Sequence, residues 1–190
     1  MRLGVFGGSF NPPHLGHMVV AELAREVLDL DRVVWIPNNT PPHKTPSKVD
    51  GHHRLRMVNL AVEENGRFEA SSAELDRGGV SYTVDTLEDL ARDPSNELFL
   101  IVGADGLAAF ESWYRPKRIL ELATLAVYPR LGYEVESGKS RFFENAIQLE
   151  TPIVEISSSV LRKRLGAGLT VRYLVPAGVL RYINENSLYT

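Results

Sequence analysis

The chain contains no cysteine. Disulfide bonds and thiol nucleophiles are thereby excluded, and any bound metal must be held by oxygen or nitrogen. Long apolar runs are missing as well. None approaches the ~18 residues that a membrane-spanning helix requires, so no membrane partner is expected. An excess of either charge is also lacking: 21 lysines and arginines face 24 acidic residues, for a formal net charge of −3. That balance argues against a whole-surface binder of DNA or RNA while leaving room for a local basic pocket. No basic stretch leads into an apolar one near Met1, so no secretory signal is expected and the cytoplasm is the expected location. Two common phosphate-loop signatures, G-x-G-x-x-G and G-x-x-x-x-G-K-[ST], do not occur in the first glycine-rich stretch. This weakens dinucleotide binding of the usual Rossmann kind and P-loop hydrolysis.

What is present is an ordinary globular composition, 44% hydrophobic and 24% charged over 190 residues, enough for one domain spanning 1–190. Short apolar runs alternate with segments of helical spacing. Strands are expected at Arg2–Phe6, Val33–Ile36, Phe68–Ala70, Leu98–Val102, Leu125–Tyr128 and Ile153–Ile156. Helices are expected from Leu15 to Leu30, from a cap at Asp50 to about Glu64, from the Ser81–Leu87 stretch to about Ala91, from Pro116 to Leu122, from Ser157 to about Leu165, and from Pro176 at the first position to near Asn184. The alternation predicts an α/β fold, a doubly wound parallel sheet with helices on both faces. Ligands of such folds bind at the carboxyl ends of the strands, which directs attention to the residues just after each one.

The first such stretch is Gly7-Gly8-Ser9-Phe10-Asn11-Pro12-Pro13-His14-Leu15-Gly16-His17. It joins a buried strand to a helix whose apolar residues are Val20, Leu23, Ala24, Val27 and Leu28. The histidines therefore stand at a helix N-terminus, where amide N–H groups and the helix dipole favour anions. Gly16 between them would let a ligand approach the backbone. As metal ligands the pair is poorly supported, because no acidic residue completes an H-E-x-x-H pattern. The alternative reading is a capping turn with surface histidines. A second strand-to-helix junction, Ile156-Ser157-Ser158-Ser159-Val160-Leu161-Arg162, offers hydroxyls, amides and a fixed positive charge one turn in. Its plainer reading is a serine cap followed by a surface arginine. Taken together, the two stretches point to a triphosphate site.

These motifs resemble the GSFNPPHxGH and ISSTxIR patterns of the nucleotidyltransferase superfamily that carries the HxGH signature, and within it the nicotinate-nucleotide adenylyltransferase branch. Ser159 stands where threonine is usual and Leu161 where isoleucine is usual. The stretches Thr40–Lys44, Arg54–Met57, Ser81–Leu87, Val102–Asp105, Trp113-Tyr114 and Tyr173–Pro176 extend the resemblance over nearly the whole chain. It implies transfer of the adenylyl group of ATP to nicotinate mononucleotide, giving the dinucleotide and pyrophosphate in NAD biosynthesis, with Mg²⁺ arriving on ATP. It implies that His14, His17 and Arg162 act on the phosphates, and that Gly7, Gly8, Ser9, Phe10, Gly16, Ser157, Ser158 and Ser159 bind ATP. Asn38, Lys44, Thr83, Asp105, Trp113 and Tyr114 are then expected to bind the mononucleotide, with Trp113 stacking on the pyridine ring. The competing readings for Trp113 and Asp105 are a core tryptophan and a helix cap. Arg54 and Arg56 read as salt-bridging surface residues, and His52 and His53 as surface residues. Two rival functions stay open: a sister adenylyltransferase acting on another acceptor, such as nicotinamide mononucleotide or phosphopantetheine, and a nucleotide-binding regulator without activity. A homo-oligomer is compatible with the sequence.

Overall fold

The computed structural model describes residues 1–42, 48–133 and 146–190. Among these described residues are six strands: β1 (Arg2–Gly8), β2 (Arg32–Pro37), β3 (Phe68–Ala70), β4 (Glu97–Gly103), β5 (Ala123–Tyr128) and β6 (Ile147–Gln148). Their order in the sheet is β3-β2-β1-β4-β5-β6. The pairs β1–β4, β4–β5 and β5–β6 run parallel. The order reverses direction between β1 and β4, the switch point at which doubly wound folds open a crevice.

The helices are α1 (Leu15–Val27), α2 (Gly51–Val62), α3 (Ala73–Arg77), α4 (Thr83–Leu90), α5 (Ala104–Ala108), α6 (Pro116–Leu122), α7 (Ser158–Gly166) and α8 (Ala177–Glu185), with a 3-10 turn at Phe110–Ser112. Several boundaries follow from capping chemistry. The Asp50 carboxylate accepts the His52 amide at 2.7 Å, opening α2. Pro116 sits in the first turn of α6, where its missing N–H costs nothing. The α8 helix begins one residue later than expected, with Pro176 as its cap.

The chain folds into two compact units, each discontinuous in sequence. The first comprises Met1–Gly7, Val20–Val34 and Tyr82–Ile153. Its core is the run Leu98 to Val102 in β4, buried at every position, as an unbroken apolar strand demands when both faces are covered. Burying five such side chains stabilises the fold by on the order of 10 kcal/mol before chain entropy is subtracted. Leu125, Val127, Ile119, Val84 and Leu87 complete this core. The second unit comprises Gly8–Val19, Trp35–Ser81 and Val154–Thr190. There Met57 and Ala61 of α2 pack with Leu161 of α7, Val171, Val175, and Val179 and Ile183 of α8.

One expected strand is absent. Residues Ile153 to Ile156 form no ladder: the Ile156 amide bonds back to the Val154 carbonyl at 2.8 Å, and Ile153 is 51% exposed. The sixth strand is instead β6, whose pairing with β5 continues through the Leu149 amide to the Val127 carbonyl. Ile156 packs against the apolar cluster of the second unit and leads the chain into α7.

Candidate active site

The glycine-rich stretch turns sharply after β1. The Asn38 amide donates to the Gly8 carbonyl at 2.9 Å, and the Asn38 side chain reaches the Ser9 hydroxyl at 3.3 Å. Phe10 takes a left-handed backbone conformation, φ 44°, which is costly for a bulky residue. Packing holds it there. Its ring is 2% exposed and lies 5.1 Å from His17 and 5.2 Å from Trp35, centroid to centroid. Phe10 thus anchors the turn from the core. Gly7 is exposed at the surface end of β1.

The two histidines meet at the start of α1. Their rings stack at 3.6 Å between centroids with 25° between planes. His14 is buried, 3% exposed, so the surface-histidine reading does not hold for it. The His14 amide donates to Nδ1 of His17 at 3.1 Å. An acceptor nitrogen carries no proton, so the His17 ring N–H is on Nε2. This fixes both the tautomer and the aim of His17. The helix amides contribute less than their position suggests. The Leu15 amide is committed to the Leu174 carbonyl at 3.0 Å, and the His17 amide to the His14 carbonyl at 2.9 Å. Gly16 also has a packing role. A Cβ there would stand 3.1 Å from His14 Nδ1, so the glycine makes room for the imidazole.

The three serines are differentiated. Ser157 caps α7 by accepting the Val160 amide at 3.3 Å. Ser158 donates to the Pro12 carbonyl at 2.9 Å. Ser159 accepts from Nη2 of Arg162 at 3.2 Å, while Nη1 of Arg162 donates to the Asn11 carbonyl at 2.8 Å. The part-buried arginine is therefore laid across the first motif, and the plain surface reading does not describe it. Stacked imidazoles, the serine-rich end of α7 and a guanidinium converge on one turn, Ser9 to Pro12. That set can bind oxyanions through N–H and O–H donors and offset charge that develops on them. Among the described residues no group of three or more histidine, aspartate or glutamate side chains is placed to hold a metal.

Two further residues grip the same turn, and neither was expected at the site. Arg54 of α2, expected at the surface, is 3% exposed and donates through Nη1 to the Ser9 carbonyl at 3.0 Å. The Tyr189 hydroxyl donates to Oδ1 of Asn11 at 2.6 Å, and burial pushes that phenol well above its ordinary range. A lone arginine in a helix and a tyrosine in a polar tail carry no local signal of burial. Arg54 is buried, and Tyr189 partly buried, only because distant segments fold over them.

The first unit holds the other candidates. Thr83 opens α4, where amide groups lack helical partners. Tyr114 is 53% exposed and its ring lies 4.5 Å from that of Tyr82. Trp113 is half-buried against Phe110 at 5.3 Å, which leaves part of the indole open. Asp105 lies in the first turn of α5, yet Gly103 caps that helix, without a side-chain bond. The carboxylate folds over Gly103, where a Cβ would come within 2.4 Å of Oδ1, and it faces Arg130 at 3.8 Å. The cap reading for Asp105 therefore gives way to an open, paired carboxylate. His43 and Lys44 lie outside the described residues.

A family model described as cytidylyltransferase-like matches residues 5–164. The chain belongs to that family of nucleotidyltransferases. It is 46% identical over 190 residues to a probable nicotinate-nucleotide adenylyltransferase of Thermus thermophilus, covering all of both chains. It is 44% identical over 191 residues to another so described from Salinibacter ruber, covering 100% of this chain and 98% of the relative. Within the family, then, it is a member of the nicotinate-nucleotide adenylyltransferases. The nicotinic acid mononucleotide adenylyltransferase of Plasmodium falciparum, solved with NaAD, superposes with a TM-score of 0.83 over 99% of this chain and 97% of that one. At 17% identity that likeness speaks for the fold.

Proposed function

We propose that this enzyme transfers the adenylyl group of ATP to nicotinate mononucleotide, forming nicotinate adenine dinucleotide and pyrophosphate. A 5′-phosphate oxygen of the mononucleotide attacks the α-phosphorus of ATP. The bond from that phosphorus to the bridging oxygen breaks, and pyrophosphate leaves with the electron pair. The acceptor brings its own nucleophile, so the protein needs donors and cations rather than a nucleophilic side chain. The observation that carries the reading is the convergence of His14, His17 and Arg162 on the Ser9–Pro12 turn.

In this reading His17 presents Nε2–H to the α-phosphate, where charge accumulates as the bond to pyrophosphate lengthens. His14 supports that ring from behind by stacking. Arg162 takes the β- and γ-phosphates, with Ser158 and Ser159 beside it. Mg²⁺ enters as part of the substrate, bound to ATP oxygens. The Thr83 and Tyr114 amides suit a pyridine carboxylate, Trp113 offers a stacking face for the ring, and Asp105 suits ribose hydroxyls. The test is pyrophosphate release from MgATP with a panel of acceptors. Nicotinate mononucleotide should be the best substrate; equal or better use of nicotinamide mononucleotide or phosphopantetheine would replace the acceptor assigned here.

A further inference from the structure

Arg54 is hard to account for as a structural residue. It is 3% exposed. Among the described residues no carboxylate lies within ion-pair distance of it, and its Nε–H has no hydrogen-bond partner. Its contacts are with neutral carbonyls, Ser9 at 3.0 Å and, more loosely, Asn39 at 3.5 Å. It also stands in the first turn of α2, the end of a helix that disfavours positive charge. The nearest acid by sequence, Asp50, uses its carboxylate to cap the same helix. A buried cation without a counter-charge is among the costlier arrangements a fold can carry. Burial accordingly pulls the guanidinium below its ordinary value, with Tyr189 and Asp50 opposing. Hydrophobic residues of similar volume would fill the site without that cost.

We propose that Arg54 is a positioning residue of the polyphosphate site, whose missing counter-charge is supplied by the bound nucleotide. Its Nη1 holds the Ser9 carbonyl, and with it the peptide on which the Ser9–Phe10 turn pivots. Its Nη2 ties in the segment after β2 through Asn39. Arg162 lies on the Asn11 carbonyl two residues along. The Ser9–Asn11 turn is thus clamped at two carbonyls by two guanidiniums, one part-buried and one buried. The buried one acts through the turn and through its field, which is little screened because water is excluded. This assignment rests on the adenylyl-transfer reading above.

The experiment is calorimetric titration of the whole enzyme with inorganic tripolyphosphate, together with thermal unfolding with and without it, for the wild type, R54M and R54K. R54M should weaken tripolyphosphate binding tenfold or more and lose most of the ligand-induced rise in melting temperature. Its ligand-free melting temperature should not fall in proportion. R54K keeps the charge and should bind within threefold of the wild type. A purely structural arginine predicts the reverse: a lowered ligand-free melting temperature with an unchanged ligand-induced rise. An unchanged affinity in R54M overturns the assignment. If R54M does not fold, the wild-type Arg54 Nε–H resonance decides. It should move on addition of tripolyphosphate, and a stationary signal overturns the role. Failure of the wild type itself to bind tripolyphosphate or ATP strikes the adenylyl-transfer reading, and Arg54's role with it.

Discussion

The two groups of candidate residues are built on opposite principles. Around Ser9–Pro12 many polar groups are committed. Two guanidiniums, a phenol, a serine and an asparagine hold one turn, and the imidazoles are fixed by stacking and by a backbone amide. Around Trp113 and Tyr114 the side chains are open, contacts are ring against ring, and the ion pairs are exposed. The difference matches the tasks assigned to the two places. Phosphoryl chemistry needs donors held before charge develops, since reorganising them costs rate. Recognising a flat ring needs surface and moderate adaptability.

Variants of the first group should lose rate or triphosphate binding, and variants of the second should lose affinity for the mononucleotide. The largest effect should come from H17A, which removes a donor aimed by the His14 amide. Steady-state assays should show kcat lowered by roughly 10²-fold or more with the fold intact by circular dichroism. A near-normal rate would take His17 out of the mechanism. R162A comes next. It strips a charge and frees the Asn11 carbonyl, and kcat/KM for ATP should fall by about 30-fold, near 2 kcal/mol, with partial recovery in R162K. W113A should raise KM for the mononucleotide by about tenfold through lost stacking while KM for ATP stays within about twofold. An equal rise in both would erase the division of labour. The smallest effect should come from E88Q, which weakens the exposed pairs Glu88 makes with Arg115 and Arg118 at 3.3 Å and 3.1 Å. Exposed pairs contribute ~0–1 kcal/mol, so chemical denaturation should move by no more than that.

The sequence carried the fold wherever burial was written locally. The run Leu98–Val102 declares a strand covered on both faces, and the stop at Gly103 is equally local. The weaker elements escaped for the opposite reason. The five-residue helices α3 and α5 are too short to show a period. Ile153–Ile156 has strand composition but is used to cross into α7. For the site, the two long motifs were legible because their residue types have few other uses in combination. Their internal order was not. That Gly16 accommodates His14, that the serines divide their work, and that Arg54 is buried are facts of tertiary structure. No window of neighbouring residues records them.

The bond from Tyr189 to Asn11 joins positions 178 residues apart. Arg162 reaches the same asparagine across 151, and Arg54 reaches Ser9 across 45. A ribosome delivers the last clamp roughly ten to forty seconds after the turn at ordinary elongation rates. The nascent chain can thus pack the sheet core of Leu98–Val102 well before its phosphate turn is complete. Catalytic competence is expected as a late event in the life of each molecule, trailing the appearance of compact structure.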